Sequence, residues 1–145
     1  MSKPLYLVAV DGSEWGKRAA DRAIHLADKT HAKIKIVTVI DWSYLQPTII
    51  EGVAPPVLDR ETEESKIFAK VLTPLVEEYT KLEVIITAEL LWGDPFVVIK
   101  EQVKKTHAVM LFVGRQGRSR VVDMLLGSVA NKLAHSVGVP IVLVP

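Results

Sequence analysis

Five short runs rich in β-branched residues, Leu5 to Val10, Lys33 to Val39, Glu83 to Leu90, Val109 to Val113 and Ile141 to Val144, recur along the chain with helical patterns between them. Strands separated by helices pair in parallel, because the chain must cross back over the sheet before the next strand begins. The spacing therefore predicts an α/β fold, an open five-stranded parallel sheet, doubly wound, with helices on both faces. Its 145 residues are expected to form one domain, 1–145.

The helical patterns have identifiable faces. Ala20, Ala23, Ile24 and Ala27 share one side of a first helix, with Asp21, Arg22, Asp28 and Lys29 on the other. A second helix is expected from about Asp59 to Lys81, with Phe68, Leu72, Leu75, Val76 and Tyr79 facing inward. Pro74 lies inside it and predicts a kink or break, since its ring clashes with the preceding turn and it has no N–H. Phe96, Ile99 and Val103 mark a third helix opened by Pro95, and Val129, Leu133 and Val137 a fourth ended by Gly138. The longest connection, Asp41 to Leu58, mixes Pro47, Pro55, Pro56 and Gly52 with Trp42, Tyr44, Ile49 and Ile50, and reads either as a flap beside a ligand or as a surface excursion.

The fourth strand runs into Gly114-Arg115-Gln116-Gly117, and nine residues later Gly127-Ser128 opens the last helix. Glycines let backbone N–H groups approach an anion, and Ser128 adds a hydroxyl at the positive end of a helix dipole, so the pattern reads as a phosphate cradle. Arg115, Arg118 and Arg120 supply compensating charge. The first strand ends in Val10-Asp11-Gly12-Ser13. A strand order of 3-2-1-4-5 brings both loops to one crevice at the carboxyl ends of the strands, where winding reverses and ligands bind. Asp11 has two readings there: acceptor for a sugar hydroxyl or a phosphate-bound metal, or an Asx turn at the start of the first helix. The two are compatible if Ser13 is the cap.

Composition excludes several classes. The chain has no cysteine, which removes disulfides, thiol catalysis and Cys-containing metal sites. A net charge of +1 gives no reason to expect nucleic acid binding, and no apolar run is long enough to insert in a membrane. The N-terminus carries no signal-peptide pattern, so a soluble, cytoplasmic protein is expected. His25, His31, His107 and His135 lack paired metal-ligand spacing. The P-loop ending, the kinase signatures and the Gly-x-Ser-x-Gly elbow are absent, and no catalytic residue is assigned. An acidic cluster of the phosphoacceptor receiver type is not visible either.

Val8-Ala9-Val10-Asp11-Gly12-Ser13-Glu14, Gly93-Asp94-Pro95, the Gly114, Gly117, Gly127, Ser128 series and the terminal Val139-Pro140-Ile141-Val142-Leu143-Val144 resemble the universal stress protein family over essentially the whole chain. The resemblance implies an adenine nucleotide alpha hydrolase-like fold, ATP at the strand ends and a homodimer through Ile141 to Val144. Carried over by position, Ala9, Asp11 and Val39 lie near ribose and adenine, Gly114, Arg115 and Gly117 near ribose and phosphate, and Gly127, Ser128 and Val129 at the phosphate-holding turn. Three departures stand out: Val109 where an aspartate is common, Arg115-Gln116 for serine-arginine, and Asp123 in a commonly basic stretch. Asp123 leaves both repulsion of a triphosphate and retention of Mg2+ open. A stress-response switch that binds ATP without strong catalysis is expected. The alternatives are a slow ATPase or autophosphorylating protein, with Ser119 and Ser128 as acceptors by resemblance, and a nucleotide-free interaction subunit of a transporter or enzyme.

Overall fold

A computed structural model describes residues 2–41, 60–117 and 127–145. The elements run β1 (Leu5–Ala9), α1 (Glu14–Thr30), β2 (Lys33–Ile40), α2 (Arg60–Ile67), a π-helical turn (Phe68–Leu72), α3 (Thr73–Glu78), β3 (Ile86–Trp92), α4 (Pro95–Thr106), β4 (Met110–Gly114), α5 (Ser128–Ser136) and β5 (Ile141–Val144). All four strand pairings are parallel, and the order is β3-β2-β1-β4-β5. The parallel fold class expected from the alternation of strands and helices is found, and so is the order expected to bring the β1 and β4 loops to one crevice. The connection after Asp41 and the segment holding Arg118, Ser119, Arg120 and Asp123 fall outside the described residues.

Alternation along each central strand divides the core in two. Tyr6, Val8, Ile34, Ile36 and Phe112 face α1 and α3, where Ala20, Ala23, Ile24, Leu72 and Leu75 cover them. Leu7, Val37, Leu111 and Val113 face α4 and α5, against Ile99, Val103 and Leu133. Small residues on α1 let that helix lie close to the sheet, and its Ala19, Ala20, Ala23 and Ile24 are wholly buried. Lys35 crosses the second face as a polar tie: its Nζ lies 2.6 Å from Glu89 Oε2 on β3 and donates to Gln102 Oε1 on α4 at 3.0 Å. On the first face Tyr79 donates to Asp21 Oδ1 at 2.6 Å. Burial pushes the Tyr79 phenol well above its ordinary pKa, and the Asp21 carboxylate adds to the rise.

The helix ends follow side-chain chemistry. Ser13 Oγ accepts from Gly16 N–H at 3.2 Å to cap α1, and Asp94 Oδ1 accepts from Val97 N–H at 3.1 Å to cap α4. His31 and His107 close α1 and α4 in the left-handed conformation, at φ 57° and 54°, so both serve as helix-end residues. Gly138 plays no such part: α5 ends at Val137 in an extended conformation, φ −73° and ψ 137°.

Two further boundaries depart from expectation. β3 starts at Ile86 rather than Glu83, because turn hydrogen bonds from Thr80 and Leu82 to Glu77 and Tyr79 occupy the preceding residues. It extends to Trp92 because β2 offers partners as far as Ile40. The second helix breaks as Pro74 requires, through a π turn in which Thr73 N–H donates to Phe68 O. A regular turn would set the Lys70 carbonyl against the proline ring; the wider turn relieves this and changes the phase of everything before Leu72. Phe68 is consequently 39% exposed, not inward, and Val76 is only half-buried, while Leu72, Leu75 and Tyr79 are buried as expected.

Phe112, 1% exposed and 5.6 Å from the Tyr6 ring, anchors the first face. Phe112→Ala is expected to cost about 3–5 kcal/mol in urea unfolding, whereas Phe68→Ala costs less than about 1 kcal/mol. Equal losses would contradict the inverted phase of the helix before Leu72.

Candidate functional site

Parallel pairing sets the carboxyl ends of β1, β2 and β4 side by side, with β1 between the other two. The loops that leave β1 and β4 meet there. After β1 the chain is pinned by Val10 N–H to Val37 O at 2.9 Å and by Thr38 Oγ1 donating to Val10 O at 3.0 Å. Asp11 then makes an Asx turn, its Oδ1 accepting from Ser13 N–H at 3.0 Å, while Ser13 caps α1. The cap and the aspartate thus have separate tasks. Gly12 between them has φ +86°, a conformation that side-chain-bearing residues rarely adopt.

The glycine loop after β4 is fixed from three directions. Arg115 N–H donates to Val144 O at 2.7 Å, and Gly127 N–H donates to Arg115 O at 2.8 Å, joining the loop to β5 and to the start of α5. Gly114 packs against the first turn of α1, where a Cβ would lie 2.6 Å from Trp15 Cβ and 2.9 Å from its backbone carbon. Gly117 packs against Asp11 itself: a Cβ there would lie 2.6 Å from Asp11 Oδ2. The two glycines therefore differ in kind. One permits a backbone contact that holds the loop; the other leaves room for a carboxylate.

No side chain caps the start of α5. Gly127 is the N-cap and Ser128 the first helical residue. Asn131 N–H is bonded to Gly127 O, and the earlier amide groups of Ser128, Val129 and Ala130 emerge from the open end of the helix, where a dipole favours an anion. The Gly127 N–H is committed to Arg115, so it holds the turn together instead of facing outward.

Of the sequence-predicted residues, Asp11, Gly114, Arg115, Gly117 and Gly127 are linked by the contacts above, with Ser128 next in the chain. Ala9, Val39 and Val129 are partly buried and pack on the same α4/α5 side of the sheet. The Arg115 side chain is exposed. Val109, where the departure from the resembling pattern was noted, is 46% exposed just before β4, and its N–H bonds Leu5 O at the amino end of β1. That departure does not touch the crevice. Sequence reasoning missed Trp15, whose backbone receives Gly114; no spacing rule relates a helix-start tryptophan to a distant glycine.

A groove of about 700 Å³ lies at the opposite, amino ends of the strands, lined by Lys100, Val103, Lys104, His107, Ser136 and Val139 among others. Lys104 and His107 stand at the carboxyl end of α4, where cations complement the helix dipole, and Lys100 lies earlier on the same helix with its Nζ 5.6 Å from the Phe96 ring, so these basic groups are accounted for without a ligand. Among the described residues no three His, Asp or Glu side chains converge as metal ligands.

The universal stress protein family model matches residues 6–145. The Bacillus subtilis universal stress protein YxiE is 28% identical over 144 residues, spanning 95% of this chain and 96% of its own. Among solved structures, universal stress protein UspA from Lactobacillus plantarum aligns with TM-score 0.80 at 17% identity, covering both chains fully. A universal stress protein in complex with cAMP aligns with TM-score 0.72 at 23% identity over 99% of this chain and 98% of that one. The universal stress protein from Archaeoglobus fulgidus in complex with dAMP gives TM-score 0.68 at 17% identity over 99% and 98%.

Glycine substitutions separate the two kinds of contact. Gly114→Ala is expected to destabilise by about 1–3 kcal/mol through the Trp15 backbone. Gly138→Ala, with nothing within 4 Å of its Cβ position, changes stability by less than about 0.5 kcal/mol. Thermal and urea unfolding check both; a tolerated Gly114→Ala would refute the close approach.

Proposed function

The chain belongs to the universal stress protein family, and on that premise we propose that it is an adenine-nucleotide-binding regulatory protein, ATP being the ligand its crevice fits best. The observation that carries the reading is the junction of Gly117 with Asp11, beside the turn that starts α5. A loop that a Cβ would push off the carboxylate is shaped to keep backbone and acid together at one ligand. Ala9, Asp11 and Val39 then hold the nucleoside end, with Asp11 Oδ2 accepting from a sugar hydroxyl. Gly114, Arg115 and Gly117 line the ribose–phosphate path, and Ser128 and Val129 offer helix-start N–H groups to phosphate, joined by the Ser128 hydroxyl, with Gly127 setting the turn. The cAMP and dAMP complexes of structurally similar proteins support this ligand class.

Binding, not turnover, is the proposed task. Hydrolysis needs a base or a positioned water, and Asp11 is committed to an Asx turn through one oxygen. In the proposed assembly two copies pair through β5, an edge strand whose Ile141, Val142 and Leu143 remain half-buried. Pro140 and Pro145, which cannot donate to a ladder, bound the pairing.

Ser128→Ala and Asp11→Ala are each expected to weaken ATP binding about tenfold in calorimetry, as loss of a charge-assisted hydrogen bond would. Gly117→Ala weakens it comparably with little loss of stability, since the added methyl displaces a side chain, not backbone. Unchanged affinities in all three would overturn the placement, and sustained ADP release by the wild type would return the enzyme reading. Sedimentation of the wild type is expected to give twice the 16.0 kDa chain mass; a monomer at all concentrations would remove the β5 pairing.

A further inference from the structure

We propose that Val71 is a positioning residue for the strand-end site: by packing on Gly12 it holds the turn that presents the Asp11 carboxylate to the glycine loop. The inference rests on the nucleotide reading for its functional meaning and on geometry for everything else.

Gly12 lies between two anchored points, Val10 bonded to β2 and Ser13 capping α1. Its own φ of +86° is only one of many conformations that glycine adopts cheaply, so the residue needs a neighbour to select it. Val71 is that neighbour. Its Cγ2 lies 3.3 Å from the position that a Cβ on Gly12 would take, which sets the methyl directly against the turn. Val71 also packs on the α1/α3 core cluster beside Leu72, so the methyl is supported from behind.

Helical phase delivers it, because Val71 precedes the buried Leu75 by four residues and shares its inner side. Leu72, Leu75 and Tyr79 keep α3 seated on the core, and in a regular helix Phe68 would be carried inward with them. The wider turn rotates Phe68 outward and leaves Val71 on the side that meets Gly12. Such turns are rare and frequent at functional sites. Pro74 supplies the local reason for the break. A β-branched residue suits the task because its χ1 is stiff.

A double-mutant cycle tests this in the full chain, with ATP binding measured for the wild type, Val71→Ala, Asp11→Ala and the double variant. Val71→Ala is expected to weaken ATP about threefold to tenfold in the wild-type background and less than about twofold once Asp11 is alanine. Val71→Ile, which keeps a branched side chain against the turn, stays within about twofold of wild type. In nucleotide-free protein the Gly12 amide resonance shifts in Val71→Ala. Equal losses in both backgrounds, or an unmoved Gly12 amide, overturn the inference. A wild type that binds no adenine nucleotide overturns it through its premise, and the still-moving Gly12 amide then distinguishes that failure from a failure of Val71.

Discussion

The backbone of Arg115 is the joint on which the strand-end region depends. Its N–H is bonded to the last residue of β5 and its carbonyl to the N-cap of α5, while Gly114 before it lies against the first turn of α1. Three elements from distant parts of the chain are thus fixed relative to one loop, by hydrogen bonds of 2.7 and 2.8 Å and a contact that only glycine permits. Buried backbone groups must find partners, and here each partner also sets the position of something else. The Asp11 carboxylate reaches the loop at Gly117, and α5 starts with its open N–H groups beside it.

This arrangement also links the proposed ligand site to the edge of the sheet. Val144 accepts from Arg115, and Pro145 O accepts from Arg18 Nε at 2.9 Å, with the Arg18 guanidinium 5.6 Å from the Trp15 ring. The glycine loop and the end of β5 therefore share neighbours on α1. In the proposed switch, these bonds are the path by which a nucleotide favouring one setting of the loop would bias the edge strand.

Much of the fold was legible because parallel sheets impose a simple alternation. The helices opened by Ser13 and Pro95 and the break at Pro74 follow from local chemistry that the residues state directly, and the strand order is the doubly wound one that brings the β1 and β4 loops to one crevice. What escaped was phase and contact. The inward assignment of Phe68 assumed an unbroken 3.6-residue period, and Pro74 was answered by a π turn that alters the period before it. Ser128 opens α5, but its cap is Gly127, whose N–H bonds Arg115 O while its carbonyl accepts from Asn131 N–H. Trp15 against Gly114 and Val71 against Gly12 join residues about 100 and 60 positions apart, beyond the reach of any spacing rule. At the site itself, the glycine spacing revealed the loop, whereas the division between a glycine for backbone and a glycine for a carboxylate needed coordinates.

The central claim is that an adenine nucleotide occupies the carboxyl ends of β1, β2 and β4. Titration of the isotopically labelled protein with ATP, followed by backbone amide shifts, tests it most directly. The account predicts saturable shifts concentrated at Ala9 to Ser13, Val39, Gly114 to Gly117 and Gly127 to Ala130. Shifts confined to the opposite groove of Lys100, Lys104 and His107, or none at millimolar ATP, would contradict it.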